Sequence, residues 1–428
     1  MQLIADFHLH SHYSRATSRN MNLESAYRYG KLKGINVIGT GDFTHPLWFG
    51  EIQEKLEPAE KGLFKLKKEI SDKIDTELPE SVRNNVMRFI LTVEISNIYK
   101  RHDVTRRLHN VIVASNFNAV SYINEKLNVI GNLKSDGRPI LGLDSYDLLK
   151  ISLESDPDTL FFPAHIWTPW FAMFGSKSGF NSVEEAFGDL ADEIVAVETG
   201  LSSDPFMNWR ISDLDGRTLV SNSDAHSPRK LGREANLINA NLNYKDIIGA
   251  IRTNDDRFVG TIEFYPEEGK YHFSGHQKCG ISLSAKDAKN LKFICPKCGK
   301  KLVLGVEQRV DELANRPVDY VPKLHKIVEY IVPLEIIIAD VLGVKSVNGK
   351  KVQEEYINII NHLGDEFNLI RKISLKDIKH VSGEKMALAI DKVRKRDLII
   401  EPGYDGVYGV VKIFSDKNAS ENQLSLLS

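Results

Sequence analysis

The chain has 428 residues, 42% of them hydrophobic and 27% charged, with a net charge of −2. This is about three times an ordinary domain, so two or three domains are expected, with the composition of a globular protein. No run of about 18 apolar residues occurs, which excludes a membrane-spanning helix, and Met1–Asp6 lacks the basic and apolar stretches of a secretory signal. Three cysteines cannot build a disulfide framework, and two stand as Cys295-x-x-Cys298, so a reducing, cytoplasmic setting and metal binding are expected. Charge is uneven. Residues 1–266 hold 30 Lys and Arg against 36 Asp and Glu, whereas residues 267–428 hold 26 against 22. The second part is thus the one suited to a polyanion.

Short apolar runs in the first part predict buried strands at Gln2–His8, Ile35–Gly39, Met87–Ile95, Asn110–Ala114, Leu160–Pro163, Glu193–Glu198 and Arg217–Ser223. Helical patterns lie between them at Leu23–Lys33 and Glu51–Ile74. Such alternation predicts a (β/α) barrel, whose chemistry sits at the C-terminal strand ends. Histidines and carboxylates gather there. His8 and His10 share one face by strand alternation, Asp42 and His45 follow the second run, and Glu94 lies in the third. His109 opens the fourth run, His165 follows the fifth, and Asp224 and His226 follow the seventh on the face of Asn222. A His/Asp/Glu set without cysteine suits Zn²⁺, Mn²⁺ or Fe²⁺, with Mg²⁺ a further candidate cofactor, and nine donors exceed the needs of one ion. Two or three divalent ions are expected, an arrangement that clamps a phosphoryl group and supplies hydroxide at neutral pH. Phosphoester hydrolysis is the expected reaction class.

Asp6-Phe7-His8-Leu9-His10-Ser11, Glu94 with His109, His165 and Asp224-x-His226 resemble the PHP (polymerase and histidinol phosphatase) superfamily. Within it, the runs Gly39–Pro46, His165–Phe171 and Ser221–Asn236 resemble endonuclease Q. The resemblance implies a distorted seven-stranded (β/α) PHP barrel with a multinuclear metal site, in which Glu94, Asp224 and His226 would be catalytic. It also implies nicking of double- or single-stranded DNA on the 5′ side of deaminated bases (uracil, hypoxanthine, xanthine) or abasic sites, and association with the nucleoid. One departure is that Gly41-Asp42-Phe43 stands where the superfamily pattern reads Thr-Asp-His, leaving Asp42, His45 or both as ligands. The aromatic stretch with Trp167, Trp170 and Phe171 is a candidate platform for an extruded base, Asn222 is a candidate substrate contact at a base edge, and Glu198 is either a support behind the site or a substrate contact. The alternative is a small-molecule phosphatase or 3′–5′ exonuclease on the same barrel.

His276-x₂-Cys279 and Cys295-x₂-Cys298, fifteen residues apart, have the spacing of a structural zinc site, with His272 as the other possible histidine. Helices are expected at Val306–Ala314, Leu324–Val332, Leu334–Leu342, Lys350–His362, Leu375–Ile378 and Lys385–Arg394, and a strand at Gly406–Phe414. Val381–Ala387 resembles the turn and second helix of a helix-hairpin-helix, where helix N-terminal amides grip a phosphate, and Val347–Lys351 is a possible second copy. The expected domains are a catalytic barrel (1–265), a zinc-ribbon-like module (266–305), a mostly helical DNA-binding domain (306–415) and a flexible tail (416–428). In that tail Gln423–Leu427 resembles a sliding-clamp-binding peptide.

Overall fold

A computed structural model describes residues 2–415. All seven strands expected in the first part are present, most of them shorter than the apolar runs. Gln2–Asp6 lies parallel to Val37–Gly39, which lies parallel to Arg88–Arg101. These strands are apolar on both faces because both faces are covered, the pattern of a buried parallel sheet. Next, Arg88–Arg101 folds back on Val104–Ala114 as a long antiparallel hairpin, and Val104–Ala114 pairs antiparallel with Leu160–Pro163. On the other side of Gln2–Asp6, Ala235–Asn239 pairs antiparallel and then joins Phe258–Glu263.

Among the described residues, hydrogen-bonded ladders do not run continuously round a closed barrel. Ala196–Glu198 and Thr218–Val220 form a separate parallel pair of three residues each. This pair meets its neighbours through isolated bonds: Ile166 N–H donates to the Glu198 carbonyl at 3.1 Å, and Ser221 N–H to Asn236 Oδ1 at 3.1 Å. One core of Leu3, Phe7, Ile90, Val111, Phe162 and Val220 fills the space between the strands and the amphipathic helix Tyr244–Thr253.

Two expectations are corrected. The stretch Glu51–Ile74 is not one helix. Pro46–Lys55 and Lys68–Glu77 are helices separated by a hairpin, Leu56–Pro58 with Phe64–Leu66, because Pro58 cannot continue a helix and Gly62 supplies the turn at φ 76°. Leu324–Val332 is not a helix either. Ile327–Tyr330 is a strand that extends the sheet beside Phe258–Glu263, as its β-branched residues favour.

The zinc-type module contains the hairpin Ser274–His276 with Ile281–Leu283 and the short helix Ala285–Asn290. Beyond it, Leu334–Leu342, Lys350–Leu363, Glu366–Arg371 and Leu375–Lys395 form the helical region. Gly383, at φ 85°, divides the last helix where the sequence suggested a turn. Buried Glu366 ties this region together, accepting from Leu334 N–H at 3.0 Å and Tyr356 O–H at 2.9 Å, with Lys33 of the first helix 3.8 Å away. Ile399–Glu401 pairs with Val410–Lys412, inside the expected terminal strand. Gln423–Leu427 lies outside the described residues.

Candidate metal centre

Glu94 is the pivot of the site. It sits mid-strand in Arg88–Arg101, opposite Val111, and His109 lies diagonally across the hairpin on the same face, opposite Ser96. Its carboxylate is fully enclosed, and its two oxygens face two histidine sets. Oε1 lies 2.8 Å from His109 Nδ1 and 3.0 Å from His165 Nε2. Oε2 lies 3.2 Å from His10 Nε2 and 3.5 Å from His8 Nε2. Asp224 Oδ1 completes the second set at 3.2 Å from His10 Nε2 and 3.7 Å from His8 Nε2.

Two ligand-capable groups result, His8–His10–Glu94–Asp224 and Glu94–His109–His165, with Glu94 common to both. Ligand fit can be judged from the atoms themselves. His8 Nε2, His10 Nε2 and Asp224 Oδ1 are buried and converge, yet none makes a hydrogen bond of good geometry. Such orphaned donors and acceptors are costly unless something binds them. Imidazole with carboxylate is the donor set of borderline divalent cations. The site therefore fits divalent metal ions.

The other ring nitrogens are held from behind. His8 Nδ1 meets the Glu198 carboxylate at 3.0 and 3.1 Å, and His10 Nδ1 meets Asp42 Oδ1 at 3.1 Å. Carboxylates in this position fix ring orientation and tautomer and make the imidazole a better ligand. Asp42 is fully engaged there, its Oδ2 accepting from Ser11 N–H at 2.6 Å, Ser11 O–H at 2.7 Å and Ser14 O–H at 2.8 Å. It supports His10 and stands outside both groups. His45 also stands outside them, stacked on Tyr13 at 4.2 Å as the residue preceding the helix Pro46–Lys55. His226 lies at the rim, its ring centroid 4.5 Å from that of His10.

Three residues of the site also carry backbone strain. Asp42, His165 and Asp224 have φ of 50°, 29° and 46°, a region ordinary side chains avoid. Charge is distributed accordingly. Burial would raise the Glu94 pKa, but His109, Arg138 and His8 outweigh it and hold the carboxyl well below its usual range. Asp224 is likewise held low, by His10 and His8 against the effect of burial. Burial pushes His109 down to about 4, so it is neutral and able to ligate at ordinary pH.

The expected substrate residues are placed differently from one another. Glu198 and Asn222 are wholly buried beneath the histidines: Glu198 takes the supporting one of its two expected positions, and Asn222 braces it instead of meeting a base edge. Glu198 also accepts from His165 N–H at 2.8 Å and from Asn222 Nδ2 at 2.9 Å, and Asn222 Oδ1 accepts from Phe7 N–H at 2.8 Å. Trp167 is enclosed too, its Nε1 donating to Asn208 at 2.8 Å, and it offers no open platform. Phe171 covers His109, with ring centroids 4.8 Å apart. Trp170 is 42% exposed and edge-on to Tyr271. It opens into a cavity of about 610 Å³ lined also by Arg233, Phe264, Glu268 and Tyr408. Arg233 connects that cavity to the metal centre, its guanidinium donating to the carbonyls of Ser223 at 2.8 Å and Asp224 at 3.2 Å.

Sequence reasoning missed Arg138, whose Nη1 donates to Glu94 Oε2 at 2.9 Å. It stands in a loop with no periodicity, and the only cue was Asp136-Gly137-Arg138-Pro139 just before a strand.

In the second centre, His276, Cys279, Cys295 and Cys298 converge, with Cys298 Sγ 3.3 Å from His276 Nδ1. His272 is turned away, buried and stacked on Phe273 at 5.2 Å. A Cys₃His set fits zinc and is closed to substrate.

Comparison with known proteins bears on both centres. Residues 333–397 match the family described as the MJ0043 C-terminal domain. The chain is 30% identical over 290 residues to the uncharacterized protein MJ0043 of Methanocaldococcus jannaschii, covering 65% of this chain and 36% of that one. It is 31% identical over 261 residues to the uncharacterized protein YqxK of Bacillus subtilis, covering 60% of this chain and 62% of that one. The chain thus spans less than two thirds of these curated relatives. The crystal structure of the lesion-specific endonuclease PfuEndoQ from Pyrococcus furiosus superposes with a TM-score of 0.82 at 31% identity, covering 98% of this chain and 99% of that one. This chain belongs to the endonuclease Q family. A second structure, endonuclease Q complexed with a 27-mer duplex substrate with an abasic lesion at the active site, agrees at a TM-score of 0.81 and 32% identity, covering 97% and 98% of the two chains. Likeness to endonuclease Q therefore extends through the strands, the Cys₃His module and the helices alike. Among the described residues, no helix is long and apolar enough to cross a membrane.

Proposed function

We propose that this protein is a metal-dependent DNA-repair endonuclease that nicks the phosphodiester 5′ to a damaged nucleotide, either an abasic site or a deaminated base. The observation that carries the proposal is Glu94 shared between two ligand-capable groups, in a chain that matches endonuclease Q over almost its whole length. Divalent cations held by His8, His10, Glu94, Asp224, His109 and His165 would supply Lewis acidity to the phosphoryl group and hydroxide at neutral pH. Glu198 and Asp42 hold the ligand rings, with Asn222 and the Ser11–Ser14 turn holding those carboxylates in place. His226, at the rim, is suited to pass a proton. Hydrolysis would form a bond from water oxygen to phosphorus and break the bond to the 3′ oxygen, leaving a 3′-hydroxyl and a 5′-phosphate.

The cavity beside Trp170 supports extrusion of the lesion, since a damaged base is read by its edges and faces once it is out of the stack. The lysine-rich Cys₃His module and the Gly383 turn are suited to phosphate contacts along the duplex. Binding of a sliding clamp through Gln423–Leu427 is the remaining partner proposal. The test is incubation of end-labelled duplexes carrying one deoxyuridine, deoxyinosine or abasic site with the protein and Mg²⁺, Mn²⁺ or Zn²⁺. One lesion-dependent cut on the 5′ side supports the reading. Laddering from a 3′ end, or turnover of a phosphomonoester alone, contradicts it.

A further inference from the structure

A phosphodiester entering this centre is an anion; divalent cations on the two ligand groups would meet part of its charge, and a fixed cationic side chain at the mouth would meet the charge that builds on the oxygens facing away from them. Among the described residues, Arg138 is the only Arg or Lys hydrogen-bonded to a carboxylate of either ligand group. Its backbone is fixed. Arg138 N–H donates to Asp136 Oδ1 at 3.1 Å, and Gly137 N–H to the Tyr13 carbonyl at 3.1 Å. Gly137 is pressed against the support of His10. A Cβ there would lie 2.2 Å from Asp42 Oδ2 and 2.4 Å from Ser14 Oγ, so the loop tolerates only glycine.

The side chain is placed unlike a buried counter-charge. Glu94 is 0% exposed at its carboxylate, whereas Arg138 keeps 27% exposure and spans from the mouth of the site to the ligand cluster. Guanidinium has five N–H donors in a planar fork, and the bond to Glu94 uses one. It stays charged at every relevant pH and matches phosphate geometry.

The geometry points to Arg138 as a catalytic residue for phosphodiester cleavage, its guanidinium donating to a non-bridging phosphate oxygen as negative charge builds on it. This rests on the endonuclease reading above. The arginine moves no proton and forms no covalent bond.

Three measurements on the metal-loaded full chain test it. Under single-turnover conditions with saturating enzyme, Arg138→Ala should nick an abasic duplex about 10²–10³-fold more slowly than wild type, as removal of one oxyanion donor does. Added guanidinium should restore part of that rate and leave wild type unchanged. Metal content and melting temperature should match wild type, and inorganic phosphate should raise the melting temperature of wild type more than that of Arg138→Ala. A wild-type rate in Arg138→Ala overturns the assignment. So does a slow variant that has lost metal, is not rescued by guanidinium and responds to phosphate as wild type does, because Arg138 would then only hold Glu94. Wild-type protein that nicks no lesion duplex overturns the endonuclease reading itself, and the phosphate response reports separately on Arg138 as an anion contact.

Discussion

His8 Nδ1 and Glu198 Oε2 stand 3.0 Å apart, both wholly buried, and this pairing aims His8 Nε2 at Glu94 and Asp224. Glu198 therefore acts through His8. Glu198→Ala should lower nicking or metal affinity by about 10–100-fold, the usual cost of removing a ligand's supporting carboxylate. Glu198→Gln, which keeps the shape and one acceptor, should fall between the two. Titration of apo protein with Zn²⁺ or Mn²⁺ alongside the nicking rate checks this. Equal metal affinity and rate in Glu198→Ala would remove Glu198 from the support of His8.

Loss of Glu94 should be felt in both ligand groups at once. Glu94→Ala should reduce bound metal by more than Asp224→Ala does, because Asp224 belongs to only one group. Both variants should lose nicking, and the difference in stoichiometry by elemental analysis is the diagnostic. Equal stoichiometry in the two variants would mean that Glu94 is not shared.

The Cys₃His centre should be separable from catalysis. Cys298→Ser should release one zinc per chain and lower the melting temperature, since structural zinc contributes directly to folding. Duplex affinity should weaken, while metal in the Glu94 centre stays unchanged. The readouts are elemental analysis, thermal unfolding and binding at fixed salt.

Stability should also depend on pH through Glu263. Burial pushes its carboxyl up to about 8 despite a bond from Ser221 O–H at 2.5 Å. Glu234, buried nearby, is raised as well, by burial and then by Glu263. A folded-state pKa above the unfolded one means that the native protein holds the proton more tightly. Stability from this group is thus full below about pH 4.5 and is lost as pH rises towards 8. Melting temperature should fall across that interval, and Glu263→Gln, which mimics the neutral form, should flatten the fall. A Glu263→Gln profile parallel to that of wild type would contradict the assignment.

Much of this was legible in the chain because several strands are short and buried, so their apolar runs end where polar ligands begin. His8, His10, His165 and Asp224 were found in that way, whereas Glu94 and His109 stand inside the long hairpin and were singled out by residue type; all six come together. The role of Asp42 was not legible, because a carboxylate that binds a metal and one that holds a ligand histidine look alike in sequence, and for the same reason Glu198 stayed open between support and substrate contact. Trp167 was misplaced for a similar reason: an aromatic beside a ligand can face the core or the solvent. Ile327–Tyr330 failed because a brief β-branched run fits helix or strand until its partner, Phe258–Glu263, is known. Arg138 carries no local pattern at all, and only the fold brings it to Glu94.

The most direct test of the central claim is nicking of an abasic duplex by protein stripped with chelator and then reloaded, with Glu94→Ala run in parallel. No cut should form without metal, a single cut 5′ to the lesion should appear on reloading, and Glu94→Ala should not recover. Lesion-dependent nicking by chelated protein, or by Glu94→Ala at the wild-type rate, would contradict the claim.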